Sequence, residues 1–434
     1  MADARDAGEV LRALLAWPGG PQLLALAEER EDVALVGGAV RDLLRGRPPR
    51  ELDVVVEGDA GALARRLADA LGASAVQHDR FGTAAVEWED GRIDVAARRA
   101  ESYAAPGALP DVRAGTVEED LSRRDFTVNA IAVPLAGAHA GQALGAPHAL
   151  EDLHARRLRV LHERSFLDDP TRLLRLARYS ARLRFAVEEH TAELAAAAVA
   201  GGALDTVSRA RVGAELRLAL GEADAPAALL AIDRLGVLRA LHPRLAFDAE
   251  LARASLELLA TAAASPAGST DAPRAAVLLL AVLLAPVAPA GGAHAVAEMH
   301  ELLDAMEFAA GERDPAIDAA AGAAALAAAL AAARSRSQLY DAAARATPEA
   351  VALAGAVGPR TLGLDAAGEG ARAWLADVRH VRLLIAGEDL LAAGVPEGPQ
   401  VGARLRAALA RKLDGQLGAD GSQAELNAAL EARI

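Results

Sequence analysis

The hydrophobic residues of the chain follow one kind of spacing before about residue 150 and another after it. Between about 30 and 135, short runs rich in β-forming residues alternate with stretches of helical spacing. These runs predict strands at 33–36, 53–56, 83–88, 93–96 and 128–133, and helices at 39–44 and 62–71. We therefore expect this part of the chain to contain a mixed sheet with helices.

After about residue 150 the strand signals nearly vanish, and Leu, Ala and Arg recur at helical spacing. The alanine-rich block at 318–333 has a high helix propensity, which favours a helix over disorder. The apolar stretch at 275–288 is too short for a bilayer, which needs about 20 residues, so we expect a buried helix and no membrane partner. The predicted fold class is α+β, with a mixed-sheet head followed by an all-α remainder.

Composition and charge narrow the possible functions. The chain has 434 residues with 46 Lys and Arg against 60 Asp and Glu, and the net charge of −14 argues at first against a general nucleic-acid binder. Residues 120–220 differ, because they hold 14 Arg against 12 acidic residues, which allows a local arginine-lined RNA surface. The absence of Cys excludes disulfides and thiolate metal sites. No secretory signal is visible, so we expect a cytoplasmic protein.

A predicted strand that runs into two glycines is the first motif with chemical content. Gly37 and Gly38 follow the strand at 33–36 and open a short helix, so backbone N–H groups there are free to face an anion. Arg41, one turn further on, adds a charge suited to phosphate. Taken alone, a Gly-Gly pair is most often a plain turn, and that alternative stays open.

Acidic residues accompany two of the predicted strands. Glu51 and Asp53 are two positions apart, so both carboxylates lie on one face of their strand. Asp94, in a third strand, is a further candidate. Carboxylate oxygens suit Mg²⁺, which serves phosphoryl transfer by activating a hydroxyl and stabilising a leaving pyrophosphate. Alternating acids usually mark a solvated strand face, but next to the glycine pair they predict a Mg²⁺ site with Glu51 and Asp53 as ligands.

A row of charged residues at three-residue spacing follows residue 168. We expect a helix that begins near Asp169 and presents a slanted polar row of Asp169, Arg172, Arg175 and Arg178. Such a row suits the reading of a nucleobase edge, because Arg offers a fork of donors and a carboxylate accepts from an exocyclic amine. Cytosine and adenine carry that amine, whereas uracil does not. On spacing alone, a salt-bridged amphipathic helix is the alternative.

Taken in order, these segments resemble the class II tRNA nucleotidyltransferases, the CCA-adding enzymes and bacterial poly(A) polymerases of the polymerase-β-like superfamily. The resemblance is dense over about 33–220 and thin between there and the tail. It is carried by GGAVRD at 37–42, the acidic strand at 51–58, IDVAARRAESYAAPGALP at 93–110, RRDFTVNAIA at 123–132, DDPTRLLRLARYSARLRF at 168–185 and GEDLLAAGVPEGPQVGARLRAALARKLDG at 387–415.

The resemblance also implies roles for single residues. Those expected at the metal and the reacting groups are Glu51, Asp53 and Asp94. Those expected at the nucleotide are Gly37, Gly38, Arg41, Arg123, Arg124, Asp125, Asn129, Asp169, Arg172, Arg175 and Arg178, with Asp169 and Arg172 acting as an amino-acid template for the incoming base. For Arg123, Arg124 and Asp125, an Arg-Asp pair that fixes a loop stays open as the alternative. The family usually has Asp-x-Asp where this chain has Glu51-Leu52-Asp53, and the extra methylene displaces one carboxylate.

The domain division implied by the resemblance is a catalytic head at 1–150, a helical neck that binds nucleobase and RNA at 151–240, and an all-α, tRNA-binding body and tail at 241–434. The implied function is a Mg²⁺-dependent enzyme that adds CCA to the 3′ end of tRNA from CTP and ATP and releases pyrophosphate. Addition of CC only, addition of A only and poly(A) synthesis stay open. From a different class, so does a catalytically weakened RNA-binding protein.

Overall fold

The computed structural model describes residues 7–78, 82–264, 273–288, 292–417 and 421–433. The chain divides into two compact units. Unit 1 comprises Met1–Glu215 and Arg234–Ala240, and unit 2 comprises Leu216–Asp233 and Leu241–Ile434. The head, neck and body boundaries expected from the sequence stay a prediction.

Unit 1 combines a sheet with helices. Its elements are α1 (Ala7–Leu15), α2 (Gly20–Glu28), β1 (Ala34–Val36), α3 (Gly37–Leu44), β2 (Leu52–Val56), α4 (Ala60–Leu71), β3 (Ser74–His78), β4 (Thr83–Trp88), β5 (Gly91–Ala97), β6 (Arg99–Ser102), β7 (Asp111–Ala114), α5 (Val117–Ser122), β8 (Ile131–Pro134), β9 (Leu144–Gly145), α6 (Ala149–Ala155), β10 (Arg157–Leu158), α7 (Ser165–Asp168), α8 (Arg172–Leu183), β11 (Ala186–Val187), α9 (Glu189–Ala200) and α10 (Arg209–Leu220). The last of these helices continues into unit 2.

A seven-stranded mixed sheet forms the centre of unit 1. Its order is β3-β4-β5-β2-β1-β8-β9, with β2 and β5 parallel and the other neighbours antiparallel. The central strands β1 and β2 are buried almost throughout, because their Val-rich sequence packs under α3 and neighbouring helices. The register between β2 and β5 pairs Asp53 with Asp94, which sets two carboxylates side by side on one face.

The strands at 128–133 and after residue 150 differ from the sequence prediction. The predicted strand at 128–133 is wrong in its first half, where residues Thr127–Asn129 form a 3₁₀ turn and β8 begins only at Ile131. The side chain of Asn129 donates to Asp125, which draws the backbone into a turn. Strands do occur after residue 150, but β10 and β11 are two residues long each.

Unit 2 consists of helices in its described residues. They are α11 (Ala225–Arg234), α12 (Val237–Leu241), α13 (Ala249–Ala260), α14 (Ala275–Leu284), α15 (Gly292–Ala305), α16 (Ala310–Ala332), α17 (Arg336–Ala342), α18 (Pro348–Val357), α19 (Asp365–Ala376), α20 (Gly387–Ala392), α21 (Pro399–Leu413) and α22 (Gly421–Leu430), with most of α12 assigned to unit 1. The expected fold class, a mixed-sheet head followed by an all-α remainder, is therefore confirmed.

Helix α16 covers the alanine-rich block. Among the described residues it is the one helix long and apolar enough, by length and composition, to cross a membrane. It packs against α14, α15, α18 and α19 within unit 2. Small side chains such as Ala320 and Ala327 are buried there, which allows close approach of its neighbours. We therefore interpret α16 as the core helix of a bundle.

Candidate active site

Three carboxylates lie close together on one face of the strand pair β2 and β5. Glu51 directly precedes β2, Asp53 lies within β2, and Asp94 is its partner on β5. One oxygen from each lies within 4.8 Å of the others, a spacing at which a single divalent cation could be held. Arg92, two residues before Asp94, donates to Asp94 at 2.9 Å and lies 3.8 Å from Glu51.

The protonation of Asp53 reflects this crowding. Burial and the nearby charge of Glu51 raise the pKa of Asp53 to about 7, Asp94 adds to this, and Arg124 opposes it. A buried carboxylate beside two like charges favours its neutral form unless a cation compensates. The acidic set therefore fits a hard divalent cation such as Mg²⁺.

The glycine turn lies directly against these carboxylates. Gly37 has φ of 70°, in the left-handed region, at the junction of β1 and α3. A Cβ atom at Gly37 would lie 2.8 Å from Nη1 of Arg124 and 3.7 Å from Oδ2 of Asp53. Glycine thus allows this close approach of the guanidinium to the acidic set, whereas a Cβ atom at Gly38 would make only ordinary contacts with Arg41.

Arg41 points into the protein and not to the surface. Its side chain is 1% exposed, and it donates to Oδ1 of Asn129 at 2.5 Å and to both oxygens of Asp42 at 2.9 Å. Asn129 in turn donates to Asp125 at 2.9 Å. A chain of hydrogen bonds therefore ties α3 to the turn before β8.

Arg123 and Arg124 share one acidic partner. Asp120, 1% exposed, accepts from Arg123 at 2.6 Å and 3.0 Å and from Arg124 at 2.9 Å. Burial would raise the pKa of Asp120, but Arg124 and Arg123 outweigh it and lower that pKa. These ion pairs hold Arg123 and Arg124 against α5, and Arg124 also borders the turn at Gly37.

Known proteins resemble this chain in sequence and fold. Residues 33–159 match the family described as Poly A polymerase head domain. The A-adding tRNA nucleotidyltransferase of Halalkalibacterium halodurans is 43% identical over 50% of this chain and 51% of its own length. The CC-adding tRNA nucleotidyltransferase of Deinococcus radiodurans is 42% identical over 44% of this chain and 50% of its own. The chain therefore spans about half the length of these curated relatives.

A solved structure extends the likeness to both units. The Thermotoga maritima CCA-adding enzyme complexed with tRNA_CCA has a TM-score of 0.76 and 25% identity, over 99% of each chain. The chain is similar to the tRNA nucleotidyltransferases in sequence over about half of its length and in fold over nearly all of it. Its acidic set and glycine turn thus lie in the part that matches the family's head domain.

One residue of the expected base-reading row lies off its helix. The prediction that this helix begins near Asp169 is wrong, because α8 begins at Arg172 and Asp169 has an extended backbone. Pro170 explains the difference, since the residue before a proline is disfavoured in helical conformation. Oδ1 of Asp169 accepts from Thr171 Oγ1 at 2.6 Å and from Arg211 at 2.8 Å.

The three arginines of the row all have partners inside unit 1. Arg172 donates to Ser165 Oγ and to the backbone oxygen of Arg123, both at 2.7 Å. Arg175 and Arg178 both donate to Glu215, and their guanidinium groups lie within 5.5 Å of the ring centroid of one tyrosine, Tyr179. Arg175 and Arg178 thus form salt bridges with Glu215, whereas Arg172 bonds to neutral oxygens.

Three residues of the site were not expected from the sequence: Asp120, Arg211 and Glu215. The sequence did contain a signal for Asp120. It lies on α5, three positions before Arg123 and four before Arg124, which is the spacing of ion pairs along a helix. Arg211 and Glu215 lie on α10, about 40 residues from their partners, so no local spacing could reveal them.

Proposed function

We propose that this protein is a template-independent nucleotidyltransferase that adds CCA to the 3′ end of tRNA from CTP and ATP, releases pyrophosphate and works in the cytoplasm. The observation that carries the proposal is the acidic set of Glu51, Asp53 and Asp94 beside the open turn at Gly37. This pairing combines a cation site with a guanidinium donor suited to phosphate, and both serve nucleotidyl transfer.

The metal in this proposal is Mg²⁺, held by Glu51 and Asp53 with Asp94 completing the set. When bound, such ions activate the terminal ribose hydroxyl and neutralise the charge that develops on the leaving pyrophosphate. The raised pKa of Asp53 supports this assignment, because it arises from burial and from the charge of Glu51, and a bound cation would offset both. Glu51, with its longer side chain and exposed position, has the freedom to adjust to octahedral coordination.

The triphosphate contact falls to Gly38 and Arg124 in this proposal. Arg124 borders the opening at Gly37 and keeps Nη1 directed to it, while its Nη2 holds Asp120. The expected contact of Arg41 with the triphosphate stays a prediction, because its guanidinium is buried and bonded to Asn129 and Asp42. We assign Arg41 a positioning role that fixes the start of α3.

Base choice falls to Asp169 and Arg172. Oδ1 of Asp169 is occupied by Thr171 and Arg211, while Oδ2 has no hydrogen-bond donor within the described ranges. That oxygen is suited to accept the exocyclic amine of cytosine or adenine, which uracil lacks. Arg172 adds fork-like donors, held in place by Ser165 and the backbone of Arg123.

The names of the relatives favour a second candidate, addition of A only. One relative is an A-adding and another a CC-adding enzyme, whereas the matching structure is of a CCA-adding enzyme. The same arrangement of residues serves each of these reactions, so their products separate them.

The test uses tRNA transcripts that end before CCA, after C and after CC, each incubated with labelled CTP or ATP and then sequenced. We expect CTP to enter the first two primers and ATP the third. ATP incorporation on the third primer alone would favour the A-only candidate, and long A tails would favour poly(A) synthesis. RNA binding without incorporation on any primer would overturn the enzyme assignment in favour of a binding protein.

A matched pair of variants ties the activity to the site. Asp53→Asn preserves shape but removes a metal ligand, and we expect incorporation to be lost. Asp90→Asn makes the same chemical change at an exposed position in the turn between β4 and β5, and we expect it to retain activity. Equal activity of both variants would contradict the proposed role of Asp53.

A further inference from the structure

Three arginines gather at the end of α3 opposite the glycine turn. Arg45 directly follows α3, Arg47 lies two residues further, and Arg156 follows the last residue of α6. Arg47 and Arg156 are close enough to Arg45 to disfavour its charged form. Within the described residues, none of the three forms an ion pair with a carboxylate. The three arginines therefore carry positive charge that no ion pair among the described residues neutralises.

The side chain of Arg45 is held in place by an aromatic ring, but one of its N–H donors has no hydrogen-bond acceptor among the described residues. Its guanidinium carbon lies 4.7 Å from the ring centroid of Phe185, which follows α8. Stacking of this kind fixes the plane of the guanidinium group. Nη1 of Arg45 is buried and has no hydrogen-bond partner among the described residues. A buried donor without a partner is costly, and a ligand oxygen is one way to satisfy it.

The surroundings of Arg45 favour an anion over a neutral ligand. Burial and Arg47 lower the pKa of Arg45, Arg41 and Arg156 add to this, and Asp42 opposes it. Asp42 does not neutralise Arg45 directly, because both of its oxygens accept from Arg41. An anion at Arg45 would offset this repulsion and take up the unused donor.

We propose that Arg45, Arg47 and Arg156 bind a phosphate group, and that it is a backbone phosphate of the RNA substrate. Guanidinium forks match the oxygens of phosphate, and arginines grouped on two segments can contact a tetrahedral anion from more than one side. The inference rests on the proposed function for its choice of RNA as the source of the phosphate.

The position of the arginines relative to the acidic set supports RNA. The segment from Gly46 to Arg50 leads from this group directly to Glu51. Helix α3 has eight residues, about 12 Å, and separates the group from Gly37 at its other end. An RNA strand whose 3′ end lies at Glu51 and Asp53 therefore has a phosphate a few nucleotides upstream within reach. Such a contact would position the primer without reading its sequence.

The test measures binding of a tRNA transcript that ends before CCA, with EDTA and without nucleotides, over a series of salt concentrations. Each lost phosphate contact is expected to reduce the slope of log affinity against log salt by about one. For Arg45→Met we expect this reduction and about 3–10-fold weaker binding at low salt. Arg12→Met removes an equal charge at an exposed residue of α1, and we expect it to leave the slope unchanged.

Further variants keep the inference falsifiable. Arg47 is exposed, so Arg47→Met carries the test should Arg45→Met fail to fold. A slope unchanged in both folded variants would overturn the inference. Calorimetric titration with inorganic phosphate identifies the source: if Arg47→Met abolishes phosphate binding but leaves the RNA slope unchanged, the site takes free phosphate and the assignment to RNA is wrong. Primer extension on the same preparations tests the proposed function separately.

Discussion

Arg175 holds the carboxylate of Asp125 through two hydrogen bonds to one oxygen, Oδ2, at 2.6 Å from Nη2 and 2.9 Å from Nε. The other oxygen accepts from Asn129, which in turn accepts from Arg41. Burial alone would raise the pKa of Asp125, but Arg175 and Asn129 outweigh it and lower that pKa to about 2. This pair therefore joins α8 to the turn before β8 and, through Asn129, to α3.

Loss of Arg175 is expected to destabilise unit 1 strongly. Arg175→Met leaves the buried carboxylate of Asp125 without its cation, a change that costs about 3–5 kcal/mol in comparable pairs. Urea unfolding followed by tryptophan fluorescence measures the effect. In a Trp374→Phe background the signal comes from Trp17 and Trp88, which both lie in unit 1.

Arg164→Met is the matched control for this change. Arg164 pairs with Asp168 at 3.2 Å, but its side chain is 60% exposed. Exposed pairs contribute about 0–1 kcal/mol, so we expect little effect. If Arg175→Met cost no more than Arg164→Met, the link between Asp125 and α8 would not stabilise the fold as argued.

Cation binding at the acidic set is expected to depend on pH through Asp53. Its pKa of about 7 means that a cation must displace a proton below that pH, so affinity should fall about tenfold for each pH unit below 7 and level off above it. In the cation-free protein the sign for stability is opposite. Because the folded-state pKa lies above the ordinary value, this group's stabilisation is present at low pH and lost as pH rises from about 4 to about 7.

Calorimetric titration with Mg²⁺ at about pH 6, 7 and 8 measures this dependence. Glu51→Gln provides an internal check, because removing the charge of Glu51 should lower the pKa of Asp53 and move the onset of the pH effect to lower pH. Affinity independent of pH in both proteins would show that Asp53 does not bind the cation.

Most of the sheet and the acidic set could be predicted because their signals are local. Thr83–Trp88 is the strand expected from the sequence, and Glu51 and Asp53 share a face because alternate residues of a strand do so. Asp94 joins them through the parallel pairing of β2 and β5, which is a tertiary contact and not a consequence of local spacing. The glycine turn could also be predicted locally, because glycine readily adopts the left-handed backbone conformation that joins β1 to α3 at Gly37.

The partners of the arginines could not be predicted in the same way. Asp125 and Arg175 are 50 residues apart, and Glu215 lies 40 residues after Arg175, so their contacts arise from packing that no periodicity encodes. The misplaced start of α8 is different, because Pro170 was a readable signal against a helical Asp169. Helical spacing continues through Asp169, but it does not include the local effect of proline.

Substitution of Gly37 is expected to damage the site more than the fold. In Gly37→Ala the new Cβ lies 2.8 Å from Arg124, so the guanidinium must move from the opening. A misplacement of about 1 Å at a reacting site can reduce the rate about 100-fold. Gly58 also has a left-handed backbone, but nothing lies within 4 Å of its Cβ position.

Gly58→Ala therefore reproduces the backbone strain of about 1–2 kcal/mol without the clash. We expect both variants to lose similar stability in urea, and only Gly37→Ala to lose CTP incorporation. A Gly37→Ala protein with normal incorporation would contradict the assignment of Arg124 to the triphosphate.

Arg211 is expected to affect base choice without taking part in the chemistry. It donates to Oδ1 of Asp169 at 2.8 Å and to the backbone oxygen of Gly107 at 3.2 Å, so it orients the carboxylate that we assign to the exocyclic amine. In Arg211→Met that carboxylate is held by Thr171 alone. We expect a higher KM for CTP and ATP, a smaller change in kcat and a measurable rise in UTP incorporation, because an unfixed acceptor discriminates less.

The control is Arg209→Met. Arg209 lies on the same helix as Arg211, two positions before it, but it pairs with Asp205 at 3.6 Å and not with Asp169. We expect its KM values and its rejection of UTP to match those of the wild-type protein. Steady-state kinetics with each nucleotide on the primer that accepts it separate KM from kcat. A parallel fall in kcat for every nucleotide, with UTP still rejected, would assign Arg211 to the general stability of α10. A selective change in KM and base choice requires that the carboxylate of Asp169 contact the base.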